Sequence, residues 1–377
     1  MRGIIAPVLV HERDLSIVRS DLELALMFGF LEYDKRRHGQ LREGVYDFFS
    51  KILWPIAFIQ AGSENYIGID GLQFFDLQFT ITGFIENENT IGTIMKKEIN
   101  DHQTRLNLLT DWKKEIKSPL KTDLKIKGVL GPEILHGLVP LIKLATDKPA
   151  TSTILDPTSS SDDFIEITNK YNQTLKSIEQ TISKWHLLQK NLQQIIEQWS
   201  NTASTEEKQE LNLNYEELHK KILDNIWRCR NELDYILHWV LSGRVLNMII
   251  PFTEIWISMY LAKIILPNKT QKFLLLPPSI FSEGLKSNRW VPVDSFHPSF
   301  YTILKEKIES TLEMQLDFRQ KIETKCKAQN LFLNEDTDRL ITNGYALIRE
   351  KQIMEPKYIK LLQSEWQKAS VPIRKMI

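Results

Sequence analysis

The chain has 377 residues, with 48 Lys or Arg and 48 Asp or Glu, so its formal net charge at pH 7 is zero. A chain of this length can build two or three domains with cores of their own. Its apolar, aromatic and charged fractions exclude a disordered or collagen-like protein. The balanced charge argues against a protein whose main task is to coat nucleic acid.

Two features of the sequence favour a cytoplasmic location. The only cysteines, Cys229 and Cys326, fall at apolar positions of predicted helices, which indicates buried thiols in a reducing compartment. The apolar stretch of residues 1–5 is too short for a signal peptide. We therefore expect a cytoplasmic protein.

Residues 1–147 are predicted to form an N-terminal α+β domain that begins with a short strand at residues 7–10. Ser20 and Glu23 have the spacing of a capping box at the start of a helix that is apolar on most sides, so we expect this helix to be buried. Residues 51–85 alternate between apolar runs and turn residues, which predicts a β-hairpin. A third strand is expected at residues 75–84.

Six lysines follow the next predicted helix within fifteen positions and define a basic face. Such a run usually forms a solvated surface, and the alternative is a surface for an acidic partner such as phosphate, anionic lipid or protein. The lysines of this basic face are Lys113, Lys114, Lys117, Lys121, Lys125 and Lys127.

Residues 148–162 are rich in Pro, Ser and Thr and predict a linker. Residues 163–241 then carry apolar side chains every three or four positions, broken only at residues 200–203. Ser204 and Glu207 predict a capping box that restarts the helix. The segment is therefore predicted to be a long antiparallel helical hairpin, a short coiled coil that either packs in a bundle or protrudes.

The hairpin contains four tryptophans, a residue that often anchors cores and interfaces. We predict that they mark an interaction surface: Trp185, Trp199, Trp227 and Trp239.

Residues 244–290 are predicted to be a second β unit that packs with the first. The window 245–266 approaches the length of a membrane span, but it contains Glu254 and Lys263, so we favour buried strands over a membrane segment. Pro55 and Pro251 occupy similar places in the two units, which indicates a possible duplication. Residues 291–377 are predicted to be a helical C-terminal subdomain, with one helix at 300–330 and shorter ones at 337–351 and 356–368.

These elements together predict an α+β fold that is predominantly α-helical. Small antiparallel β units flank the long central helical hairpin, and the C-terminal part is helical.

The sequence lacks the common motifs of cofactor chemistry. It has neither Gly-x-x-x-x-Gly-Lys nor Gly-x-Gly-x-x-Gly, so we expect no nucleotide. Its eight histidines are scattered and no Cys-x-x-Cys occurs, so we expect no structural zinc and no cofactor. No Gly-x-Ser-x-Gly elbow nominates a nucleophile.

Asp70 and Asp76 are the only weak catalytic candidates, with Glu86 or the charged run at residues 11–14 as additions. Acidic residues at strand ends can hold Mg²⁺ and activate water for hydrolysis. Asp70-Gly71 is also a common turn pair, however, and Asp76 alternates with apolar residues as an exposed strand position does.

The function that the pattern favours is a non-enzymatic protein-interaction or scaffold role, or that of an accessory subunit in a larger assembly. We expect a protein partner, including a second copy of the chain, at the helical hairpin. One alternative is a metal-dependent hydrolase or nuclease that uses Asp70 and Asp76. The other is an adaptor that binds nucleic acid or an anionic membrane through the basic face.

Overall fold

The structure is a computed structural model that describes residues 3–61, 65–84, 99–117, 119–146, 153–154, 161–242, 253–282 and 290–374. It is about 59% helical with 23% strand. The predicted α+β fold with a helical majority is therefore confirmed.

The described helices are α1 (Ser20–Arg37), α2 (His102–Lys117), α3 (Pro132–Lys143), α4 (Ser161–Asn201), α5 (Thr205–Leu237), α6 (Pro298–Met314), α7 (Leu316–Ala328), α8 (Glu335–Glu350) and α9 (Pro356–Arg374). The described strands are β1 (Gly3–Ala6), β2 (Leu9–His11), β3 (Val45–Ala61), β4 (Asn65–Asp70), β5 (Asp76–Thr82), β6 (Lys121–Lys127), β7 (Thr153–Ile154), β8 (Val240–Ser242), β9 (Thr253–Ile265), β10 (Gln271–Leu276), β11 (Ser279–Phe281) and β12 (Val293–Ser295).

The chain forms two compact units that are not collinear with the sequence. Unit 1 contains Met1–Phe75, Gly128–Phe164 and Leu241–Ile377, and unit 2 contains Asp76–Lys127 and Ile165–Val240. Part of the predicted N-terminal domain thus groups with the helical hairpin. The predicted C-terminal subdomain groups with the N-terminal strands.

A seven-stranded sheet forms the centre of unit 1. Its order is β1-β9-β3-β4-β8, with β10 also on β9 and β7 also on β3. The antiparallel ladder between β3 and β9 runs from Val45↔Ile265 to Phe58↔Thr253. The two predicted β units therefore lie in one sheet, joined strand to strand.

The strand interpretation of the window 245–266 holds where the structure describes it. Residues 253–265 form β9, and its Lys263 is buried between the carboxylates of Asp47 and Glu323, at 3.1 and 2.7 Å. Residues 243–252, with Pro251, lie outside the described part of the chain. Among the described helices, none combines the length and the apolar character that crossing a membrane requires.

The β3–β4 hairpin is confirmed, and its register explains the proline in a central strand. The ladder begins at Ile56↔Asp70, one residue after Pro55. The carbonyl of Pro55 accepts a hydrogen bond from the Gly71 N–H at 3.0 Å. Because the nitrogen and the carbonyl of a strand residue point to the same side, the Pro55 nitrogen, which carries no hydrogen, also faces β4. Pro55 cannot return a hydrogen bond to Gly71, so the regular ladder between β3 and β4 begins only at Ile56.

The strand expected at residues 75–84 exists as β5, but it does not extend that hairpin. It pairs with β6 in a two-stranded ribbon of unit 2, in a register from Asp76↔Lys127 to Thr82↔Lys121.

The capping box predicted at Ser20 is wrong, although the helix itself is buried as expected. The N-cap of α1 is Arg19, and no side chain caps it. The Glu23 carboxylate instead accepts hydrogen bonds from Lys51 and Tyr260. A buried carboxylate needs partners of this kind, and they outcompete the local cap. The exposed capping box of Ser204 and Glu207 in unit 2 is confirmed.

The single helix predicted at residues 300–330 is also wrong, because the chain turns a corner at Gln315. This residue has φ −103° and ψ 96°, ends α6 and begins α7. The neighbours Met314 and Leu316 are 76% and 54% exposed. The apolar stripe therefore pauses at the corner, and each shorter helix buries its own face.

Unit 2 provides the hairpin with a third helix. Helix α2 packs along α5, where Asn225 donates to the carbonyl of Ile116 at 3.1 Å. At the hairpin turn, Arg105 of α2 donates to the carbonyl of Trp199 at 3.2 Å, and Trp112 stacks on the Trp199 ring. Within unit 2 the hairpin is therefore part of a three-helix bundle.

Gly344 permits close contact between α8 and α1 and generates a first prediction. A Cβ at Gly344 would lie 2.2 Å from the carbonyl oxygen of Asp21 and 2.7 Å from the Cβ of Ala25. Gly344→Ala is expected to destabilise the protein by about 1–3 kcal/mol, because overpacking outweighs the gain in helix propensity. Urea unfolding measures this loss.

A Cβ at Gly39 meets no atom within 4 Å, so Gly39→Ala is the matched control and should leave the stability of unit 1 unchanged within about 0.5 kcal/mol. Equal effects of the two substitutions would contradict the packing argument.

Candidate functional site

Asp70 is a buried carboxylate surrounded by hydrogen-bond donors of the neighbouring strand β3 and of the turn that follows β4. The Trp54 indole N–H and the Leu72 N–H donate to Oδ1 at 2.6 and 2.9 Å, and the Phe74 N–H donates to Oδ2 at 2.5 Å. Burial raises the pKa of Asp70 to about 6, while these donors act in the opposite direction. Asp70 is therefore ionised at neutral pH, and its carboxylate fixes the turn that follows β4.

Asp76 lies in unit 2, at the start of the β5–β6 ribbon. Its Oδ2 is 2.8 Å from the Lys125 ammonium across the ribbon, which is a partly exposed ion pair. Glu86, the further carboxylate of the predicted site, lies outside the described residues. In the described ranges, no three His, Cys, Asp or Glu side chains are grouped so as to hold a metal ion. The catalytic role of Asp70 and Asp76 stays a prediction.

The basic face is divided between α2 and β6, and half of its lysines pair with carboxylates. Lys113 binds Glu217, Lys114 lies 3.3 Å from Asp111, and Lys125 pairs with Asp76. Lys121 and Lys127 are exposed on β6, and the side chain of Lys117 lies outside the described part. These ion pairs reduce the positive charge that the face presents to an acidic partner.

Three of the four hairpin tryptophans are core residues of unit 2. Trp185 is 0% exposed, Trp199 7% and Trp239 9%, whereas Trp227 is 65% exposed. Trp185 packs edge-on against Phe84, with ring centroids 4.8 Å apart. The predicted interaction role thus remains available to Trp227 alone among the four.

The contacts of α5 show which of its faces is left open. Asn225 and Glu217 meet α2, and His219 and Arg230 bond to Gln189 and His186 of α4. At 100° per residue, Leu223 and Trp227 fall on the remaining face, one turn apart. Neither α2 nor α4 covers that face.

A third apolar side chain lies at the same level of the hairpin. The bonds His186–Arg230 and Gln189–His219 fix the antiparallel register, so Leu187 is level with the α5 segment that contains Leu223 and Trp227. Leu187 is 55% exposed and Leu223 is 43% exposed. We call these three residues, Leu187, Leu223 and Trp227, the Trp227 patch.

Unit 1 contains a cleft that the sequence did not predict. Its volume is about 550 Å³, and its floor carries Glu23, Lys51 and Tyr260. The Lys51 ammonium and the Tyr260 hydroxyl both donate to Glu23 Oε1 at 2.8 Å. Burial and the neighbouring Glu23 raise the pKa of Tyr260 well above its usual value, so the phenol stays a neutral donor. The polar groups named in this cleft are therefore hydrogen-bonded to one another.

No local signal in the sequence identifies this cleft. Tyr260 is 237 positions from Glu23 and meets it only because β9 pairs with β3. The spacing of Ser20 and Glu23 pointed to a helix cap instead, and this concealed the role of Glu23.

Comparisons with protein-family models, with curated proteins and with solved structures found no match to this chain.

The geometry around Asp70 predicts a structural role that mutation can test. In Asp70→Asn, one carboxylate oxygen becomes an NH₂ group that faces an N–H donor, so a buried donor loses its acceptor. We expect a loss of about 2–4 kcal/mol of stability at pH 7.5, measured by urea unfolding. Asp76→Asn removes only a partly exposed ion pair and is expected to cost less than about 1 kcal/mol.

A metal role for the two carboxylates predicts the opposite pattern. Mg²⁺ would then raise the melting temperature of the wild type, and Asp70→Asn would abolish that rise while relieving carboxylate repulsion. We expect no Mg²⁺-dependent shift in either protein.

Proposed function

We propose that the protein is a non-enzymatic interaction protein that associates through its helical hairpin, and that its partner there is a second copy of the chain. The observation that carries the proposal is the 65% exposure of Trp227, the largest exposed fraction among the large apolar side chains described on α5. Tryptophan exposes a large apolar area when it is left on a surface, and it is enriched among the residues that dominate binding energies.

The Trp227 patch has the composition of an interface centre. It combines one aromatic and two aliphatic side chains on adjacent helices, at one level of the hairpin. Such a centre is typically surrounded by polar side chains that exclude water from it. The neighbouring exposed charged positions on α5 supply that rim: Lys220, Asp224, Arg228, Arg230 and Asp234.

The charges around the patch support a second copy as the partner. The rim on α5 contains three basic and two acidic residues, so charges of both signs surround the patch. In a two-fold dimer the same patch meets itself, and mixed signs allow basic residues acidic neighbours across the axis. Two antiparallel helix pairs that meet in this way form a four-helix arrangement, which is a common way to bury apolar helix faces.

A dimer of this kind suits a scaffold or an accessory subunit of a larger assembly, because the hairpin would join two copies while unit 1 of each copy stays available. The metal-dependent hydrolase receives less support, since the oxygens of Asp70 accept hydrogen bonds from the protein itself. The adaptor receives less support as well, since three lysines of the basic face are paired with carboxylates.

The test compares the self-association of the full-length wild type with that of Trp227→Ala, by light scattering and sedimentation over a range of concentrations. Truncation of a central interface tryptophan typically costs about 2–4 kcal/mol, so the dimer dissociation constant should rise roughly 30- to 1000-fold. Because Trp227 is exposed in the single chain, the folding of the monomer should be unchanged.

Met314→Ala is the matched control, since Met314 is an apolar residue of unit 1 with 76% exposure. It should leave the dissociation constant unchanged within about twofold. A wild type that stays monomeric at the highest concentration, or a dimer that tolerates Trp227→Ala, overturns the proposal.

A further inference from the structure

A second cavity of unit 1 lies beside the C-terminal end of α1, and basic residues dominate its wall. Its volume is about 470 Å³. Helix α1, the turn that follows it, the start of β3 and helix α9 supply the wall. The charged or aromatic lining residues are Lys35, Arg36, Arg42, Glu43, Tyr46, Glu365 and Lys368.

Lys35 is the buried cation of this cavity. Its side chain is 4% exposed, and its ammonium lies 4.4 Å from the centre of the Tyr46 ring. The nearest carboxylate oxygen, Glu32 Oε1, is 3.7 Å away, which is beyond hydrogen-bond distance. That oxygen already accepts the Tyr46 hydroxyl at 2.6 Å. Burial lowers the pKa of Lys35 despite the attraction of Glu32. The attraction of the Glu32 carboxylate therefore does not fully offset the cost of burying the ammonium charge.

The two carboxylates nearest Lys35 are also shared with other cations. Arg36 donates to Glu32 at 3.1 Å and to Glu365 at 3.2 Å. Lys368 lies 3.0 Å from the same oxygen of Glu365. These acceptors are therefore shared, and the ion pair of Lys35 among the described residues is its 3.7 Å contact with Glu32.

Arg42 adds a second available cation at the mouth of the cavity. It is exposed and follows the 3-10 turn Gly39–Leu41, and its guanidinium has no partner among the described residues. Glu43 is also exposed. Of the acidic residues that line the cavity, it is the one that forms no ion pair with a described Lys or Arg side chain. An arginine at the mouth and a buried lysine behind it can bind one oxyanion from two sides, with the planar guanidinium offering paired N–H groups.

We propose that this cavity is a binding site for a phosphate group, held between Lys35 and Arg42. A phosphate carries about 1.5 to 2 negative charges and several acceptor oxygens at neutral pH, which matches Arg42, with no described partner, and Lys35, whose ion pair with Glu32 is long. A carboxylate carries only one charge, so it compensates the pair less well. Because Lys35 is recessed, the site favours a soluble phosphate or phosphate ester over a lipid headgroup held at a bilayer surface.

The proposal is independent of association through the hairpin, since every residue of the site belongs to unit 1. Its test is therefore separate from that of the dimer.

Inorganic phosphate is the probe, titrated into the full-length protein in a low-salt buffer and followed by calorimetry and by the shift in melting temperature. We expect saturable binding with one site per chain and a clear preference over acetate at equal ionic strength. Vesicles of phosphatidylcholine with phosphatidate form a second arm, and they should not compete with phosphate for the site. Competition by the vesicles, or a wild type that binds phosphate without saturation, overturns the assignment to soluble phosphate.

Arg42→Gln is the principal variant and Arg37→Gln its matched control. Both arginines are exposed and close in sequence, but only Arg42 lines the cavity. Arg42→Gln should weaken phosphate binding roughly tenfold or more, and Arg37→Gln should change it less than about twofold. Equal losses in the two variants would mean diffuse surface attraction and would overturn the site.

Lys35→Gln tests the buried end of the cavity. It should abolish saturable binding, and its melting temperature without phosphate shows whether the chain still folds. If that variant does not fold, Arg42→Gln decides the outcome alone. In the wild type, phosphate should raise the pKa of Lys35, observed by NMR of its side chain, which a purely structural lysine would not show.

Discussion

Unit 1 depends on the antiparallel pairing of β3 with β9. This ladder joins residues that are about two hundred positions apart in the chain, from Val45↔Ile265 to Phe58↔Thr253. Closing such a long loop costs conformational entropy, which the buried apolar side chains of both strands must offset. Both faces of the sheet are covered, since its residues belong to two separate core clusters. Unit 2 is formed by segments of the chain that leave unit 1 and return to it.

Burial of α1 against this sheet creates two clusters of charged side chains in unit 1. Most of the helix is apolar, but Glu23, Glu32 and Lys35 are also buried. A buried ion is costly unless it is paired, so each end of α1 collects partners from distant parts of the chain. Lys51 and Tyr260 bind Glu23 at one end, and Tyr46 and Arg36 bind Glu32 at the other. The cleft and the phosphate cavity lie beside these two clusters.

Unit 2 follows a different principle, because it is stabilised mainly by the amphipathic faces of long helices. Its buried stripes include the tryptophans Trp185 and Trp199, and α2 covers a second side of α5. Among the described helices, neither α2 nor α4 covers the face of α5 that exposes Trp227. The spacing places Trp185 and Trp199 on the apolar stripe, whereas Trp227 directly follows the stripe residue Ile226 and so lies about 100° away from it around the helix. Only the packing of α2 and α4 shows which side of the helix is covered.

The sequence by itself determined the elements whose signals are local. The periodicity of residues 163–241, the capping box of Ser204 and Glu207, and the β3–β4 hairpin each depend on side chains a few positions apart. The burial of Cys229 and Cys326 followed from the same apolar stripes. Tertiary structure decided the rest, since a carboxylate such as Glu23 takes its role from Tyr260, far along the chain. The corner at Gln315, the pairing of β5 with β6, and the environments of Asp70 and Lys35 likewise depend on which surfaces meet after the chain has folded. Local propensity does not carry that information, because the free energy that selects these arrangements comes from burying and pairing groups that are remote in sequence.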